Sequence, residues 1–296
     1  MMTFLTNLPI KREEEIAELA EFIAEEYGAA GRVDPLSIAK RKKISFSFGH
    51  YEEAFDGMLE CENKSFHIYC NIDRVGEYYE PRAKFTIAHE LGHYFIDEHR
   101  NALLSNFASP HPSICEHESE MPIEREADCF ASYLLMPRPY FKSKAHALPI
   151  GMKGILALKW YFNTSITSTA LRYVGLNIRP FLFLLWRKNQ IIRAHSSCPE
   201  IMDLFGDLIV QRKILPSSSA TIQALSGARA REDKFFESEI SADHWFESPK
   251  EHTLVDVLLY EQSISLGKYG AITLLIPNEE TVSHLNEKFI LQGKAV

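Results

Sequence analysis

Two histidines and a glutamate within five residues carry the clearest chemical signal in this 296-residue chain. His89, Glu90 and His93 follow the pattern H-E-x-x-H within an apolar stretch, residues 85–95. Side chains four apart in a helix share one face and lie about 5–6 Å apart at Cβ. Two imidazoles can therefore bind one metal ion, and Glu90 can reach a water beside it. The alternative is a pair of core histidines, but burying this cluster without a metal would cost several kcal/mol.

A second helix is needed to complete such a site, because catalytic zinc has three protein ligands and one open position. Residues 122–137 have helical spacing, with Pro122 suited to the first turn and Pro137 ending the helix. Glu124 and Asp128 are four apart and share a face. The spacing predicts Glu124 as the third ligand and Asp128 as the hydrogen-bond acceptor of a ligand histidine.

Two nearby residues are weaker candidates for the third ligand. Glu126 points about 200° away from Glu124 on the helix, so we expect it in solvent. His99 follows His93 by six residues, the spacing of a class in which a glycine turns the chain back to the metal. Ile96 occupies that glycine position, and in a continued helix His99 would face away. Glu124 is therefore preferred.

The motifs R-x-K-F-T-I-A-H-E-L-G-H and E-x-E-A-D-x-F-A-x-x-L-L-M-P together resemble the ImmA/IrrE family of bacterial metallopeptidases, over residues 12–140. The resemblance implies a zincin that cleaves a helix-turn-helix transcriptional repressor in a regulatory or stress response. It also implies zinc ligands at His89, His93 and Glu124, with Glu90 as the catalytic base. Such nitrogen and oxygen ligands would also accept Mn²⁺.

The predicted fold class is α+β, with three segments. Residues 1–140 are expected to form the zincin-like metallopeptidase domain, and residues 141–179 a helical, helix-turn-helix-like segment. Residues 180–296 are expected to form a small α+β domain with a regulatory role, where some relatives of the family have a GAF-like sensor domain.

Strand-like patterns lie ahead of the first motif. Residues 44–48 and 66–70 alternate between apolar and polar side chains, and Gly57 between them marks a turn. Zincins hold an extended substrate on a strand edge beside the active helix, as in other cases of β-strand addition. Residues 66–71 are the predicted edge.

Residues 101–121 separate the two motifs and show no periodicity, which is typical of a lid or substrate loop. His111 or His117 is a candidate for stabilising an oxyanion, with a surface histidine as the alternative in each case. Cys115 is interpreted as a loop residue without a regulatory role.

Residues 154–162 and 166–174 predict a helix pair with helix-turn-helix-like spacing. The second helix offers Arg172 and the hydroxyl residues 167–169 as contacts to DNA, which is a small set. Packing onto the peptidase domain is favoured over DNA binding.

The net charge of −8 is unevenly distributed. Ten basic and no acidic residues lie between Cys129 and Pro199, whereas the rest of the chain has 22 basic and 40 acidic residues. This basic segment either attracts an anionic partner or packs against the acidic remainder of the chain, and both interpretations stay open.

The sequence shows no apolar run of 18 residues and no secretory signal, so neither a membrane span nor export is expected. Its five cysteines lack C-x-x-C spacing and are interpreted as reduced thiols of a cytoplasmic protein. An alternative function is a non-catalytic regulator that contains a metal and binds DNA or a protein partner. Glu90 favours the enzyme, because a structural metal site needs no base.

Overall fold

The computed structural model divides the chain into two compact units. The first unit comprises Met1–Lys144 and Leu158–Arg172, and the second comprises Ala145–Ala157 and Tyr173–Val296. The structure describes residues 8–105, 112–114, 121–178, 181–196, 215–226, 234–246 and 258–278. The mixed α and β class is confirmed, whereas the three predicted segment boundaries stay a prediction.

Nine helices are described up to residue 178. They are α1 (Ile10–Tyr27), α2 (Pro35–Arg41), α3 (Ile72–Val75), α4 (Pro81–Phe95), α5 (Asp97–Leu104), α6 (Pro122–Leu135), α7 (Arg138–His146), α8 (Met152–Phe162) and α9 (Ile166–Gly175). Proline occupies the first turn of α2, α4 and α6, where its missing N–H costs no hydrogen bond. The predicted helix pair is present as α8 and α9.

Helices α1, α4 and α6 form the helical core of the first unit, with α6 packed against both others. Ile87 and Leu91 of α4 are fully buried, and the Phe95 and Phe130 rings stack with centroids 5.7 Å apart. This packing fixes α4 and α6 against each other, and both carry predicted site residues.

A four-stranded sheet covers α4 in the order β1-β3-β2-β4. Its strands are β1 (Ser45–Gly49), β2 (Gly57–Glu62), β3 (Ser65–Asn71) and β4 (Pro112–Ser113). Strand β3 pairs in parallel with β1 and antiparallel with β2, so the prediction that residues 66–71 form an edge is wrong. The alternation showed that one face of β3 is buried, but it carries no information about neighbours within the sheet.

Strand β2 was not predicted, because Gly57 was interpreted as a turn. Gly57 instead begins β2 and pairs with Ser113 of β4, while Met58 pairs with Pro112. Beyond Met58, no described residue pairs with β2 on its β4 side. Within the described part of the chain, this stretch of β2 is therefore an open strand edge beside α4.

The second unit contains a five-stranded antiparallel sheet in the order β6-β5-β9-β8-β7. Its strands are β5 (Leu182–Arg187), β6 (Gln190–Ser196), β7 (Phe235–Ser241), β8 (Leu258–Ser265) and β9 (Ala271–Pro277). Helix α10 (Ala220–Leu225) packs against β7, β8 and β9. Trp186 and Trp245 contribute to the core beneath this helix, with ring centroids 6.0 Å apart.

Within the described part of the chain, no helix has the length and apolar composition needed to cross a bilayer. Cys61, Cys70 and Cys129 are free thiols. Burial raises the pKa of the Cys129 thiol well above its usual value, so this group stays protonated and unreactive.

Candidate metal centre

His89, His93 and Glu124 converge in the buried space between α4 and α6. The two histidine Nε2 atoms are 3.1 Å apart. Glu124 Oε2 lies 3.2 Å from Nε2 of His89, and Oε1 lies 3.5 Å from Nε2 of His93. All three side chains are buried, so three ligand-type atoms face one another in a space that solvent hardly reaches.

These separations match those around a tetrahedral ion. Nitrogen and oxygen ligands at about 2.0–2.1 Å from zinc are about 3.3 Å from one another. The three separations measured here lie on either side of that value. Two imidazole nitrogens and one carboxylate are also a ligand set that zinc favours. The cluster therefore fits a divalent metal.

Local sequence explains why the two helices meet here. His89 and His93 are one turn apart on α4, and Glu124 lies in the first turn of α6, where the helix dipole favours a negative charge. Gly92 permits the close approach, because a Cβ there would lie 3.1 Å from Ala127 Cα. A larger residue at position 92 would push α6, and Glu124 with it, away from the histidines.

Asp128 lies behind His89, as its spacing from Glu124 predicted. Asp128 Oδ1 is 2.8 Å from Nδ1 of His89. A carboxylate in this position places the imidazole proton on Nδ1 and leaves the Nε2 lone pair directed toward Glu124 and His93.

His99 lies behind His93, an arrangement that the sequence did not predict. Helix α4 ends at Phe95, and α5 starts after Ile96, so the helix does not continue and His99 does not face away. Its Nδ1 atom is 3.1 Å from Nδ1 of His93. Burial lowers the pKa of His99 below its usual value. His99 thus contacts a candidate ligand and is not part of the candidate ligand cluster.

The expectation that Glu126 lies in solvent is wrong. Its Oε2 atom is 3.0 Å from Nε2 of His99. Arg12 of α1 donates to both Glu126 oxygens, from Nη2 at 2.7 Å and from Nε at 3.0 Å. The tertiary contact with α1, 114 residues away, removes this carboxylate from solvent.

Glu90 is completely buried one residue beyond His89. Burial raises the pKa of Glu90 to about 7, although the electrostatic effect of the neighbouring His89 acts in the opposite direction. Neither of its carboxylate oxygens has a hydrogen-bond partner among the described residues. Gly57 at the start of β2 makes room for it. A Cβ at Gly57 would overlap the Thr86 side chain and lie 2.8 Å from Glu90 Oε1.

A buried ion-pair network fixes the start of β2 against α4. Asp56 is completely buried and accepts hydrogen bonds from Arg82 Nη2 at 2.9 Å and Arg74 Nε at 2.6 Å. Its own amide donates to the Ser113 carbonyl at 2.8 Å. Arg82, which follows Pro81 at the start of α4, thus positions β2 and β4 beside Glu90.

Helix α9, the second helix of the predicted pair, does not present Arg172 to solvent. Arg172 of α9 is buried, donates to the Met136 carbonyl at 2.8 Å and lies over the Tyr133 ring at 3.9 Å. Thr169 is also buried and hydrogen-bonded to Thr164. These contacts favour packing of the segment over DNA binding. His111, His117 and Cys115 lie outside the described residues.

Part of the basic segment is neutralised within the first unit. The Arg138 guanidinium donates to Glu14 from Nη1 at 2.8 Å and to Glu21 from Nε at 2.9 Å, both on α1. For Arg138, the interpretation that this segment packs against acidic parts of the same chain is therefore correct.

Part of the chain is similar to proteins that are already known. Residues 79–173 match the Peptidase_M78 family model, described as an IrrE N-terminal-like domain. Among solved structures, a Mycobacterium tuberculosis transcriptional regulator is similar, with a TM-score of 0.55 and 12% sequence identity over 98% of this chain and 82% of that chain. At this identity the similarity shows the fold alone. A search of curated proteins found no match.

Proposed function

We propose that the chain is a metal-dependent endopeptidase, and that residues 79–173, which match the IrrE N-terminal-like domain model of the Peptidase_M78 family, carry this activity. The observation that carries the proposal is the buried triangle of His89, His93 and Glu124, with Glu90 beside it. These three residues would hold zinc, or manganese in its place. Bound there, the metal would supply Lewis acidity and make water nucleophilic near neutral pH.

The residues of the chain have separate roles in the proposed reaction. Glu90 accepts the proton of a water molecule as its oxygen adds to the peptide carbonyl. It returns that proton to the leaving amine nitrogen when the C–N bond breaks, so the reaction consumes one water per peptide bond. Asp128 orients His89. The network of Asp56, Arg74 and Arg82 keeps β2 and Ser113 close to Glu90.

An extended peptide can bind along β2. The edge of this strand beyond Met58 is open among the described residues and lies on the sheet that covers α4. Main-chain hydrogen bonds to this edge would hold a substrate largely independently of its sequence, as in other β-strand additions.

We further propose that the substrate is a helix-turn-helix transcriptional repressor, cleaved in a regulatory or stress response. The support is the resemblance of both motifs to the ImmA/IrrE family. The fold similarity to a transcriptional regulator is consistent with a regulatory role.

The test compares wild-type and Glu90→Gln protein, both loaded with zinc. Each is incubated with purified helix-turn-helix proteins from the organism that produces this chain. The products are identified by mass spectrometry. Wild type should cut one of them at a single position, and Glu90→Gln should not. Cleavage by Glu90→Gln at the wild-type rate would refute the mechanism. No cleavage by the loaded wild type would favour the non-catalytic regulator.

A further inference from the structure

The Nδ1 atoms of the two candidate ligand histidines face different chemical groups. His89 Nδ1 faces a carboxylate directly, that of Asp128 at 2.8 Å. His93 Nδ1 faces a second imidazole, that of His99 at 3.1 Å. Since both His93 and His99 are buried, the two facing nitrogens cannot both carry a proton without clashing, and they cannot both lack one without forfeiting the hydrogen bond.

The residues behind His99 decide where its proton lies. The Glu126 carboxylate accepts two hydrogen bonds from the Arg12 guanidinium, one on each oxygen. Both oxygens therefore act as acceptors, and His99 donates to Oε2 from its Nε2 atom, 3.0 Å away. In a neutral His99, Nδ1 is then an acceptor.

The donor and acceptor roles of His99 determine the tautomer of His93. With His99 Nδ1 as the acceptor, His93 must carry its proton on Nδ1 and donate across the 3.1 Å contact. Its Nε2 atom then has a lone pair, directed at the space shared with His89 Nε2 and Glu124. This is the form of imidazole that binds a metal.

We propose that His99, Glu126 and Arg12 act as a relay of positioning residues that holds His93 in its metal-binding tautomer. The relay starts on α1, passes through the second turn of α6 and reaches the metal centre through α5. It rests on the proposed function, because it requires a metal at His89, His93 and Glu124.

The chain offers a substitution that preserves the relay and one that breaks it. A glutamine at position 99 has an amide oxygen to accept from His93 and an amide nitrogen to donate to Glu126. A phenylalanine keeps a planar ring and removes both functions, while Arg12 still pairs with Glu126. Comparison of His99→Gln with His99→Phe therefore separates hydrogen bonding from ring packing.

A matched control tests the charge behind His99. Glu98 also pairs with Arg12, at 3.3 Å, but is exposed, and no hydrogen bond links it to His99 among the described contacts. Glu126→Gln removes the negative charge and leaves one acceptor oxygen for the three N–H groups that Arg12 and His99 direct at this side chain. Glu98→Gln removes a charge from the same arginine and leaves the relay intact.

The experiment measures Zn²⁺ affinity of the metal-free full chain by chelator competition, together with the visible absorption spectrum after loading with Co²⁺. His99→Phe and Glu126→Gln should bind Zn²⁺ about tenfold more weakly, with an altered Co²⁺ spectrum. His99→Gln and Glu98→Gln should stay within about threefold of wild type. Circular dichroism of the metal-free variants confirms that they are folded, and if His99→Phe does not fold, Glu126→Gln against Glu98→Gln decides.

Each result has a defined meaning. Wild-type affinity and an unchanged spectrum in Glu126→Gln would overturn the relay, and so would equal affinities of His99→Phe and His99→Gln. If Glu124→Ala loses metal binding in the same assay, the proposed metal centre still stands. Wild-type protein that binds neither ion would overturn both proposals.

Discussion

Glu90 in the first unit and Glu261 in the second are both completely buried, but their surroundings differ. Glu261 on β8 accepts five hydrogen bonds, from the hydroxyls of Ser219, Thr221 and Ser238 and the amides of Ala220 and Thr221. Around Glu90, neither carboxylate oxygen has a hydrogen-bond partner among the described residues, and burial raises the pKa of this group to about 7. The Glu261 carboxylate is thus surrounded by donors, whereas the Glu90 carboxylate is buried without one.

The difference shows two uses of a buried carboxylate. Glu261 joins the start of α10 to β7 and β8, so its charge serves the fold of the second unit. Glu90 accepts no hydrogen bond among the described residues and lies beside three converging ligand atoms, so its acceptor oxygens are available for chemistry. Substitution of glutamate by glutamine should therefore lower the activity at position 90 and the stability at position 261.

The largest expected effect is the loss of peptide-cleavage rate in the Glu90→Gln variant. Losing the general base should lower the rate of peptide cleavage by about 10³-fold. The zinc content should stay unchanged, because all three candidate ligands remain. The free energy of unfolding of the metal-free protein should change by less than about 1 kcal/mol, measured by urea titration. A large loss of stability would assign Glu90 to the fold and so remove the contrast with Glu261.

Glu261→Gln should show the reverse pattern. The glutamine amide group would present N–H donors to residues that are donors themselves, at a cost of about 3 kcal/mol in the free energy of unfolding. Zinc content should be unaffected. The control is Glu239→Gln on the adjacent strand, where an exposed side chain should change stability by less than about 0.5 kcal/mol. Equal stability of the two variants would contradict the structural role of Glu261.

Gly57→Ala should affect the surroundings of Glu90 through packing. The added methyl group would press on Thr86 and Glu90, which should cost about 2 kcal/mol of stability and slow cleavage. The double variant Gly57→Ala with Thr86→Ser removes the overlapped methyl group and should recover part of the stability. Independent, additive effects of the two substitutions would indicate that the contact between Gly57 and Thr86 is not close.

The smallest expected effect is that of Asp128→Asn on the metal centre. Losing the carboxylate behind His89 should weaken Zn²⁺ binding about tenfold, equivalent to about 1.4 kcal/mol. Chelator competition measures this change. Asp97→Asn, which alters an exposed carboxylate paired with Arg100, should bind Zn²⁺ as wild type does. Equal affinity of Asp128→Asn and wild type would show that His89 needs no carboxylate support.

Sequence periodicity predicted the parts of the site that depend on one helix at a time. The four-residue spacing places His89 and His93 on one face of α4, and Glu124 and Asp128 on one face of α6. Pro122, predicted to lie in a first helical turn, is the first residue of α6. These are local properties, since they follow from 3.6 residues per turn and from the missing N–H of proline.

The remaining features depend on contacts between distant segments. Arg12 of α1 donates to Glu126 of α6, which lies 114 residues further along the chain, and no local pattern in the sequence encodes this contact. The position of β3 inside its sheet depends on strand pairing, which side-chain alternation does not encode. His99 could have been recognised only by expecting the chain to turn at Ile96 without a glycine.

The most direct test of the metal centre is elemental analysis of freshly purified wild-type protein and of Glu124→Ala. Three converging ligand atoms predict close to one zinc or manganese ion per wild-type chain and a large loss in the variant. A wild-type chain without metal, or a Glu124→Ala variant with its full metal content, would contradict the assignment of His89, His93 and Glu124 as the ligands.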